Sequence, residues 1–283
     1  PLRWIGNANE LNAAYETDGY SRINGFGALI TTFGVGELSA VNGVAGSFAE
    51  HVGLIHIVGM PSVSATKNKL LLHHTLGDCR FDAFKNMSQH ISLKTGVVNN
   101  IESAPELIDD FISTGYLHKR PVYLGLPSNF VQDKVPSSLL DKPLTLELPA
   151  DDEEAETEFV ENVLGLISKA EKPIIIVDSC ASRHEVTAEV AKLAKLTKFP
   201  VFTTPMGKGG FNEDSDEYYG LYVGAFTNPD VKEIVESSDL IISIGGLKSD
   251  FNTGSFSYLF NTKNTVDFHS NFCRFKKATY ENL

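Results

Sequence analysis

The chain has 283 residues, of which 42% are hydrophobic and 21% charged, a composition typical of globular proteins and not of disordered ones. Its formal net charge of −12 excludes general nucleic-acid binding, and no apolar run approaches the roughly 18 residues of a membrane span, so neither partner is expected. Three scattered cysteines, Cys79, Cys180 and Cys273, exclude a disulfide framework and a zinc site, and they favour a reducing compartment, for which we expect the cytoplasm.

The first half of the chain alternates short apolar runs, predicted as strands, with longer amphipathic runs, predicted as helices. The predicted strands are Leu2–Gly6, Ala28–Phe33, Leu54–Val58 and Val122–Leu126. The predicted helices are Glu10–Ile23, Glu37–His51 and Glu106–Tyr116. The second of these helices is rich in Ala and Gly, so we expect its backbone to pack close to a sheet or to another helix. This alternation predicts a parallel α/β sheet.

The second half repeats the α/β pattern after a proline-rich linker at 127–150 and an acidic run, Asp151–Glu161, which we interpret as the solvated start of a helix. The predicted strands are Ile174–Asp178, Val201–Thr203, Leu240–Ile244 and Thr265–Phe268. The predicted helices are Val186–Leu196 and Val231–Val235. The fold class is therefore α/β, with two parallel-sheet domains at 1–145 and 146–283. Since the chain begins with Pro1 and not Met, we interpret it as a fragment.

Glycines at two strand ends invite comparison with nucleotide-binding loops. Gly34 and Gly36 follow a predicted strand, but Ser39 stands where a GxGxxG motif needs glycine, and Glu37 would point a negative charge at any phosphate. A tight turn is the better interpretation. Gly245–Gly246 also follows a strand but lacks the rest of the dinucleotide fingerprint, so a dinucleotide site in the second domain is unsupported.

Two further signals concern proton transfer. His73 and His74 are adjacent, whereas two metal ligands on one helix face would be four residues apart; adjacent histidines suit a loop, where both rings reach one cavity and titrate near neutral pH. Glu10 opens a helix, with Asn7 or Asn9 as its N-cap, which for a lone residue is a structural role.

Taken together, a series of segments carries a family resemblance. These segments are Gly6–Tyr15, Asp18–Arg22, Thr31–Ser39, Ala49–Val52, Leu72–Gly77, Arg120–Pro127, Asp178–His184, Pro205–Gly209 and Ser249–Phe256. In this order they closely resemble the thiamine-diphosphate-dependent 2-oxo acid decarboxylases, and the fungal enzymes that act on pyruvate are the nearest match. The adjacent histidines separate this family from the related acetohydroxyacid synthases.

The resemblance implies a domain that binds the pyrimidine ring of thiamine diphosphate, followed by most of a central domain. A third domain, which in the family holds the diphosphate and Mg²⁺, is expected outside the chain, because its Gly-Asp-Gly metal motif is not found. No metal ligand is therefore expected in this chain.

The resemblance also implies roles for individual residues. Glu10 matches the cofactor-activating glutamate, in a buried, apolar setting that would keep it protonated, and Val35 matches a hydrophobic contact to the pyrimidine. His73 and His74 match a pair that positions the substrate carboxylate and relays protons. Arg183 and Tyr116 match polar groups that hold a second, regulatory substrate molecule between the two domains. Cys180 matches a cysteine tied to substrate activation, and an ordinary buried thiol at a strand end is the alternative. Ala181 departs from relatives that carry a second cysteine there, which puts thiol-pair schemes in doubt.

The implied reaction is the non-oxidative decarboxylation of pyruvate to acetaldehyde and carbon dioxide, by a homo-oligomer whose functional minimum is a dimer, with a tetramer as the alternative. Allosteric regulation by substrate and a place in alcoholic fermentation accompany it. A decarboxylase for bulkier acids, such as indolepyruvate or phenylpyruvate, shares the same residues. A non-catalytic regulatory paralogue is the remaining alternative.

Overall fold

A computed structural model describes residues 3–148, 152–260, 262–276 and 278–281 of the chain. The chain divides into two units, Pro1–Leu148 and Pro149–Leu283. The sequence predicted a boundary at residue 145, within the proline-rich linker. Each unit has its own sheet and its own apolar core, and each is described by itself below.

The first unit is built on a parallel sheet. Its described helices are α1 (Glu10–Asn24), α2 (Val35–Ala49), α3 (Val63–Lys67), α4 (Ala83–Ser88) and α5 (Ala104–Leu117). Its described strands are β1 (Gly27–Thr32), β2 (Leu54–Met60), β3 (Lys94–Val97) and β4 (Pro121–Pro127). The strand order is β1-β2-β4-β3, and each neighbouring pair is parallel. The central strands β2 and β4 are almost wholly buried, as expected of parallel strands whose connections run through helices.

The small-residue helix α2 packs closely on α1. A Cβ added at Gly43 would lie 2.7 Å from the Cβ of Ala14, so the two backbones approach at a distance that a larger side chain would prevent. This contact confirms that the Ala and Gly content of α2 serves close packing.

One predicted strand of this unit is wrong. Arg3–Gly6 have no regular structure, and Trp4 and Ile5 are exposed; Leu2 lies outside the described residues. An apolar run becomes a strand only where its backbone groups find a partner, and no described strand pairs with residues 3–6. Conversely, β3 was missed, since its four residues, KTGV, form no apolar run.

The second unit is built on a larger, mixed sheet. Its described helices are α6 (Glu153–Ile167), α7 (Ser179–Arg183), α8 (Thr187–Thr197) and α9 (Pro229–Glu236). Its described strands are β5 (Pro173–Val177), β6 (Val201–Thr203), β7 (Tyr218–Leu221), β8 (Leu240–Ile244), β9 (Thr265–Phe268), β10 (Phe272–Phe275) and β11 (Ala278–Glu281). Their order is β11-β10-β9-β8-β5-β6-β7.

The parallel α/β class is confirmed for most of this sheet, with one difference. Strands β10 and β11 are antiparallel to their neighbours and extend the sheet at one edge. The hairpin between them turns at Lys276, whose φ is +56°, and not at the Asn-Gly or Gly pair that marks a hairpin in a sequence. The sequence therefore carried no turn signal at this position.

The connection between the units is as predicted for its described part. Residues 131–147 form no strand and are almost all exposed, with one short 3₁₀ helix at Ser137–Asp141. The acidic run opens α6, where the Asp152 carboxylate accepts hydrogen bonds from the backbone N–H of Glu154 and Ala155. Asp151 lies outside the described residues. Across the described part of the chain, each helix is too short or too polar to cross a membrane.

Candidate active site

A tight turn at the carboxyl end of β1 is the centre of the candidate site. At Gly34 the backbone φ is +75°, and a Cβ added there would lie 1.6 Å from the carbonyl oxygen of His74. Glycine is therefore required at Gly34 for two reasons, its backbone conformation and the direct approach of a second backbone. The prediction of a turn that needs glycine, rather than a phosphate loop, agrees with this geometry.

The two histidines lie in a turn between α3 and α4, and this turn rests on the glycine turn. Their ring centroids are 4.6 Å apart, and Phe33 approaches both rings, at 6.0 Å from His73 and 6.2 Å from His74. Both histidines are exposed. His74 has a φ of +61°, a left-handed conformation that is uncommon for residues other than glycine. The histidine pair is thus held in a loop, as its spacing predicts.

Glu10 reaches the same turn from α1. Asn9 is the N-cap of this helix and accepts hydrogen bonds from the backbone N–H of Leu11 and Asn12, which settles the choice between Asn7 and Asn9. A Cβ added at Gly36 would lie 3.2 Å from Glu10 Oε1 and 2.6 Å from a methyl carbon of Thr32, so the carboxylate packs over the Gly36 backbone. The described residues leave Glu10 half-buried, which is less than the buried, apolar setting expected for it.

Val35 stands between the two glycines and is 51% exposed, although it is apolar and begins α2. An exposed valine beside a carboxylate and two imidazoles presents an apolar surface to a ligand. The structure therefore brings Glu10, Val35 and His74 to one turn at the carboxyl end of a parallel strand, which is where α/β sheets bind ligands.

The sequence missed the polar residues beneath this turn. Glu37 is 2% exposed, and its carboxylate accepts hydrogen bonds from the Gly34 N–H at 2.8 Å and from the Tyr123 hydroxyl at 2.7 Å. The side chain turns into the core, so the Glu37 charge that argued against a phosphate loop does not face outward from the turn, and the tight-turn interpretation rests on the glycine spacing. His56 lies beside Tyr123, 2.9 Å from the Thr31 hydroxyl, and burial lowers the pKa of His56 to about 4. The usable signal was the presence of polar residues within the apolar runs of β2 and β4.

The predicted regulatory residues lie in both units. Tyr116 is near the end of α5, where the Lys119 Nζ lies 4.0 Å from its ring centroid. Cys180 and Arg183 belong to α7, and Cys180 is only 1% exposed. A thiol this deeply buried is out of reach of a ligand in the described conformation, and the regulatory role of these three residues stays a prediction.

Gly245, directly after β8 in the second unit, serves internal packing. A Cβ added at Gly245 would lie 2.2 Å from the Ala181 nitrogen, so the loop after β8 contacts the first turn of α7 directly. Asp178, at the end of β5, is 2% exposed and accepts hydrogen bonds from the Leu247 N–H, the Thr204 hydroxyl and the Asn252 amide. These hydrogen bonds join the end of β5 to loops of the same unit.

No group of three or more His, Cys, Asp or Glu side chains is placed to hold a metal ion within the residues that the structure describes. The assignment of Mg²⁺ ligands to a part of the protein outside this chain stays a proposal.

Comparison with known proteins gives two family matches. Residues 1–87 match the N-terminal TPP binding domain of thiamine pyrophosphate enzymes, and residues 160–281 match the central domain of the same enzymes. Together the matched segments cover more than half of the chain.

The chain is also similar to curated fungal proteins. It is 56% identical to a pyruvate decarboxylase of Kluyveromyces lactis, 57% identical to one of Candida glabrata, and 56% identical to pyruvate decarboxylase isozyme 3 of Saccharomyces cerevisiae. Each alignment covers 99% of this chain and 50% of the relative. The chain therefore spans about half the length of the curated relatives that it matches.

Proposed function

Because the chain belongs to the thiamine pyrophosphate enzymes, of which it carries the N-terminal and central domains, we propose that the full-length protein decarboxylates pyruvate to acetaldehyde and carbon dioxide. The observation that carries this proposal is the meeting of Glu10, Gly36 and His74 at one strand end. The names and the 56–57% identity of the fungal relatives support pyruvate as the substrate.

The residues at the glycine turn fit the pyrimidine half of thiamine diphosphate (thiamine pyrophosphate). Because Gly36 has no Cβ, the Glu10 carboxylate packs directly over the turn, and Val35 offers the apolar contact. When bound, the cofactor supplies a nucleophilic carbon and an electron sink for the decarboxylation. In this proposal the Glu10 carboxyl group makes a hydrogen bond to a ring nitrogen of the pyrimidine and exchanges a proton with it. Mg²⁺ and the diphosphate are bound outside this chain.

His73 and His74 act on the substrate in this proposal. Their rings are exposed and adjacent, and their turn packs on the glycine turn that Glu10 also reaches, so an acid bound there meets two groups that donate hydrogen bonds to a carboxylate. Imidazole is also the side chain best suited to moving protons near neutral pH. We assign to the pair the orientation of the substrate carboxylate and the delivery of a proton to the product.

Substrate activation is the finer part of the proposal. Arg183 has a guanidinium group that binds a carboxylate through two parallel hydrogen bonds, and it lies three residues after Cys180. We propose that a second 2-oxo acid molecule acts through Arg183 and Cys180 of the second unit, and that Tyr116 of the first unit also takes part in substrate activation. The burial of Cys180 requires that α7 moves before the thiol is reached.

The assembly and the compartment are also proposed. A homodimer is the functional minimum, with a tetramer as the alternative, because the family resemblance implies a cofactor bound between subunits. The three free cysteines are compatible with the reducing cytoplasm.

A substrate comparison tests the proposed function. The purified full-length protein, with thiamine diphosphate and Mg²⁺, is given pyruvate, indolepyruvate or phenylpyruvate, and carbon dioxide and aldehyde are measured. We expect the highest kcat/KM with pyruvate. A preference for the aromatic acids would favour the bulkier-substrate decarboxylase, and no turnover of any acid would favour the regulatory paralogue.

A further inference from the structure

A buried carboxylate lies directly beneath the candidate active site, and the proposed chemistry leaves it without a role. Glu37 sits in the first turn of α2 and is 2% exposed. Carboxylates are almost never buried to this extent unless they are paired or fully hydrogen-bonded. Each Glu37 carboxylate oxygen has its own partner: Oε1 accepts a hydrogen bond from the Gly34 N–H, and Oε2 accepts one from the Tyr123 hydroxyl.

The first of these bonds connects Glu37 to the site. Gly34 is the residue whose Cα faces the His74 carbonyl oxygen, at a distance that leaves no space for a Cβ. Gly36, two residues further on, lies under Glu10 Oε1. The glycine turn therefore contacts Glu37 through the Gly34 N–H, and it contacts the two proposed catalytic groups, Glu10 and the histidine pair, through Gly36 and Gly34. Glu37 itself touches neither group in any described contact.

The second bond anchors Glu37 to the middle of the sheet. Tyr123 is fully buried in β4, and its pKa is raised by burial and by the neighbouring Glu37 carboxylate, so its hydroxyl keeps its proton and remains a donor. On its other side the Tyr123 ring meets the His56 ring edge-on at 5.6 Å. Tyr123 and His56 are the titratable side chains described next to this group. Tyr123 of β4 thus fixes the position of the Glu37 carboxylate, and this carboxylate in turn hydrogen-bonds the glycine turn at Gly34.

We propose that Glu37 is a positioning residue of the active site, which sets the places of Glu10 and the His73–His74 pair through its hydrogen bond from Gly34. The inference rests on the proposed function for its effect on turnover. A displacement of about 1 Å in a catalytic group costs on the order of 10²-fold in rate. Loss of the Glu37 acceptor, which lets the turn shift, is expected to act on this scale.

The test compares four variants of the full-length holoenzyme. Glu37→Ala removes both bonds, Glu37→Gln keeps an oxygen acceptor for the Gly34 N–H, and Tyr123→Phe removes only the anchor. Leu54→Ala is the matched control, because it creates a cavity in the same sheet at the opposite, amino end of β2. The readouts are kcat, KM, exchange of the cofactor C2 proton, and amide hydrogen exchange over residues 33–37 and 72–76.

We expect Glu37→Ala to lower kcat and the C2 proton exchange rate by about 10²-fold with a smaller change in KM, and to speed amide exchange in both segments. Glu37→Gln should restore the rates to within about tenfold of the wild type, with Tyr123→Phe between the two. Leu54→Ala should lower stability with kcat nearly unchanged. Equal kcat in Glu37→Ala and Leu54→Ala would overturn the proposal, as would a Glu37→Gln variant as impaired as Glu37→Ala.

The proposed function fails in a different way. A wild-type holoenzyme without turnover, or a Glu10→Gln variant with normal C2 proton exchange, contradicts the function and leaves amide exchange to decide the inference. In that case faster exchange at residues 72–76 in Glu37→Ala, but not in Leu54→Ala, supports the positioning role, and unchanged exchange there refutes it.

Discussion

Single atoms decide the geometry around the glycine turn. The carbonyl oxygen of His74 occupies the place where any other residue at position 34 would carry its Cβ, and Glu10 Oε1 borders the corresponding space at Gly36. Glu10 and His73 are 63 residues apart in the sequence. The glutamate and the histidine turn can both approach the glycine turn because Gly34 and Gly36 carry no Cβ. This dependence makes the effect of a very small substitution predictable.

We predict that Gly34→Ala in the full-length protein lowers both stability and activity. The combination of φ +75° with ψ −124° at Gly34 costs about 1–3 kcal/mol for a residue with a Cβ, and the new methyl group also displaces His74. We expect kcat, measured from steady-state rates, to fall tenfold or more. A urea denaturation curve on the same sample gives the loss in the free energy of unfolding. The control is Gly46→Ala in α2, where a Cβ would meet no atom within 4 Å. That variant should gain about 0.5–1 kcal/mol and keep its activity; equal behaviour of the two variants would contradict the steric account.

Glu10→Gln tests the carboxyl group without changing its size. Glutamine keeps a hydrogen-bonding side chain at the helix start, but it cannot transfer a proton to the pyrimidine nitrogen. We predict a loss on the order of 10²–10⁴ in kcat, the range for a positioned proton-transfer group, with a parallel fall in the exchange rate of the cofactor C2 proton. Normal exchange in this variant would remove Glu10 from the activating role.

At the scale of helices and strands, much of the fold could be predicted because buried parallel strands and amphipathic helices have distinct periods. The predictions for α1, β2 and β4 lie within two residues of the observed bounds. The apolar run at residues 3–6 was misassigned because apolar character alone does not provide a pairing partner. The strands β3, β7, β10 and β11, each of four residues, were missed, although β6 and β9, which are no longer than these, were predicted.

The candidate site was predictable only in part, for a related reason. The identities of Glu10, His73 and His74 came from a family resemblance, and no local pattern brings residues so far apart in sequence together. The bonds among Glu37, Tyr123 and Gly34 join α2, β4 and the turn, so they depend on the register between elements. A sequence pattern specifies which face of an element is buried and does not specify which buried polar groups meet.

The burial of His56, where β2 pairs with β1, predicts that the stability of the first unit depends on pH. Burial lowers the pKa of His56 to about 4, whereas an unfolded histidine titrates near 6.5. Between these values the unfolded state binds a proton that the folded state does not, so stability falls as the pH is lowered from about 6.5 to 4, by up to about 3 kcal/mol. Urea midpoints of the first unit, followed by amide exchange in β2, should show this slope. His56→Gln should be less stable at pH 7 and should flatten the slope; an unchanged slope would contradict the assignment.

At the scale of the whole molecule, the chain spans half of its curated relatives, and we propose that it supplies one side of the cofactor site. Thr32, Val35 and both histidines are exposed in it, so water reaches the place where the pyrimidine ring is proposed to lie. Catalysis of this type depends on a site from which water is excluded.

We therefore predict that the purified 283-residue chain, given thiamine diphosphate, Mg²⁺ and pyruvate, forms no acetaldehyde above a buffer control. The full-length protein under the same conditions should be active, and it should sediment as a dimer or a larger assembly. Turnover by the isolated chain, or full activity in a monomer, would contradict this expectation.

Coupling across the molecule gives the last prediction. If a second 2-oxo acid acts through Arg183, the rate of the full-length enzyme should depend sigmoidally on pyruvate concentration. Arg183→Ala should raise the half-saturating concentration or flatten the curve while the saturated rate stays near that of the wild type. A hyperbolic wild-type curve, or identical curves for both proteins, would return Cys180 and Arg183 to structural roles.

The position of the candidate site along the chain bears on how the protein is synthesised. Glu10, the glycine turn and the histidine turn all precede β4, and β4 itself ends at Pro127, before the second unit begins at Pro149. Domains generally fold as units during translation, beginning with the N-terminal one. The parts of the site, and the tyrosine that anchors Glu37 beneath it, therefore leave the ribosome before any residue of the second unit. Assembly of this half of the site does not wait for the rest of the chain.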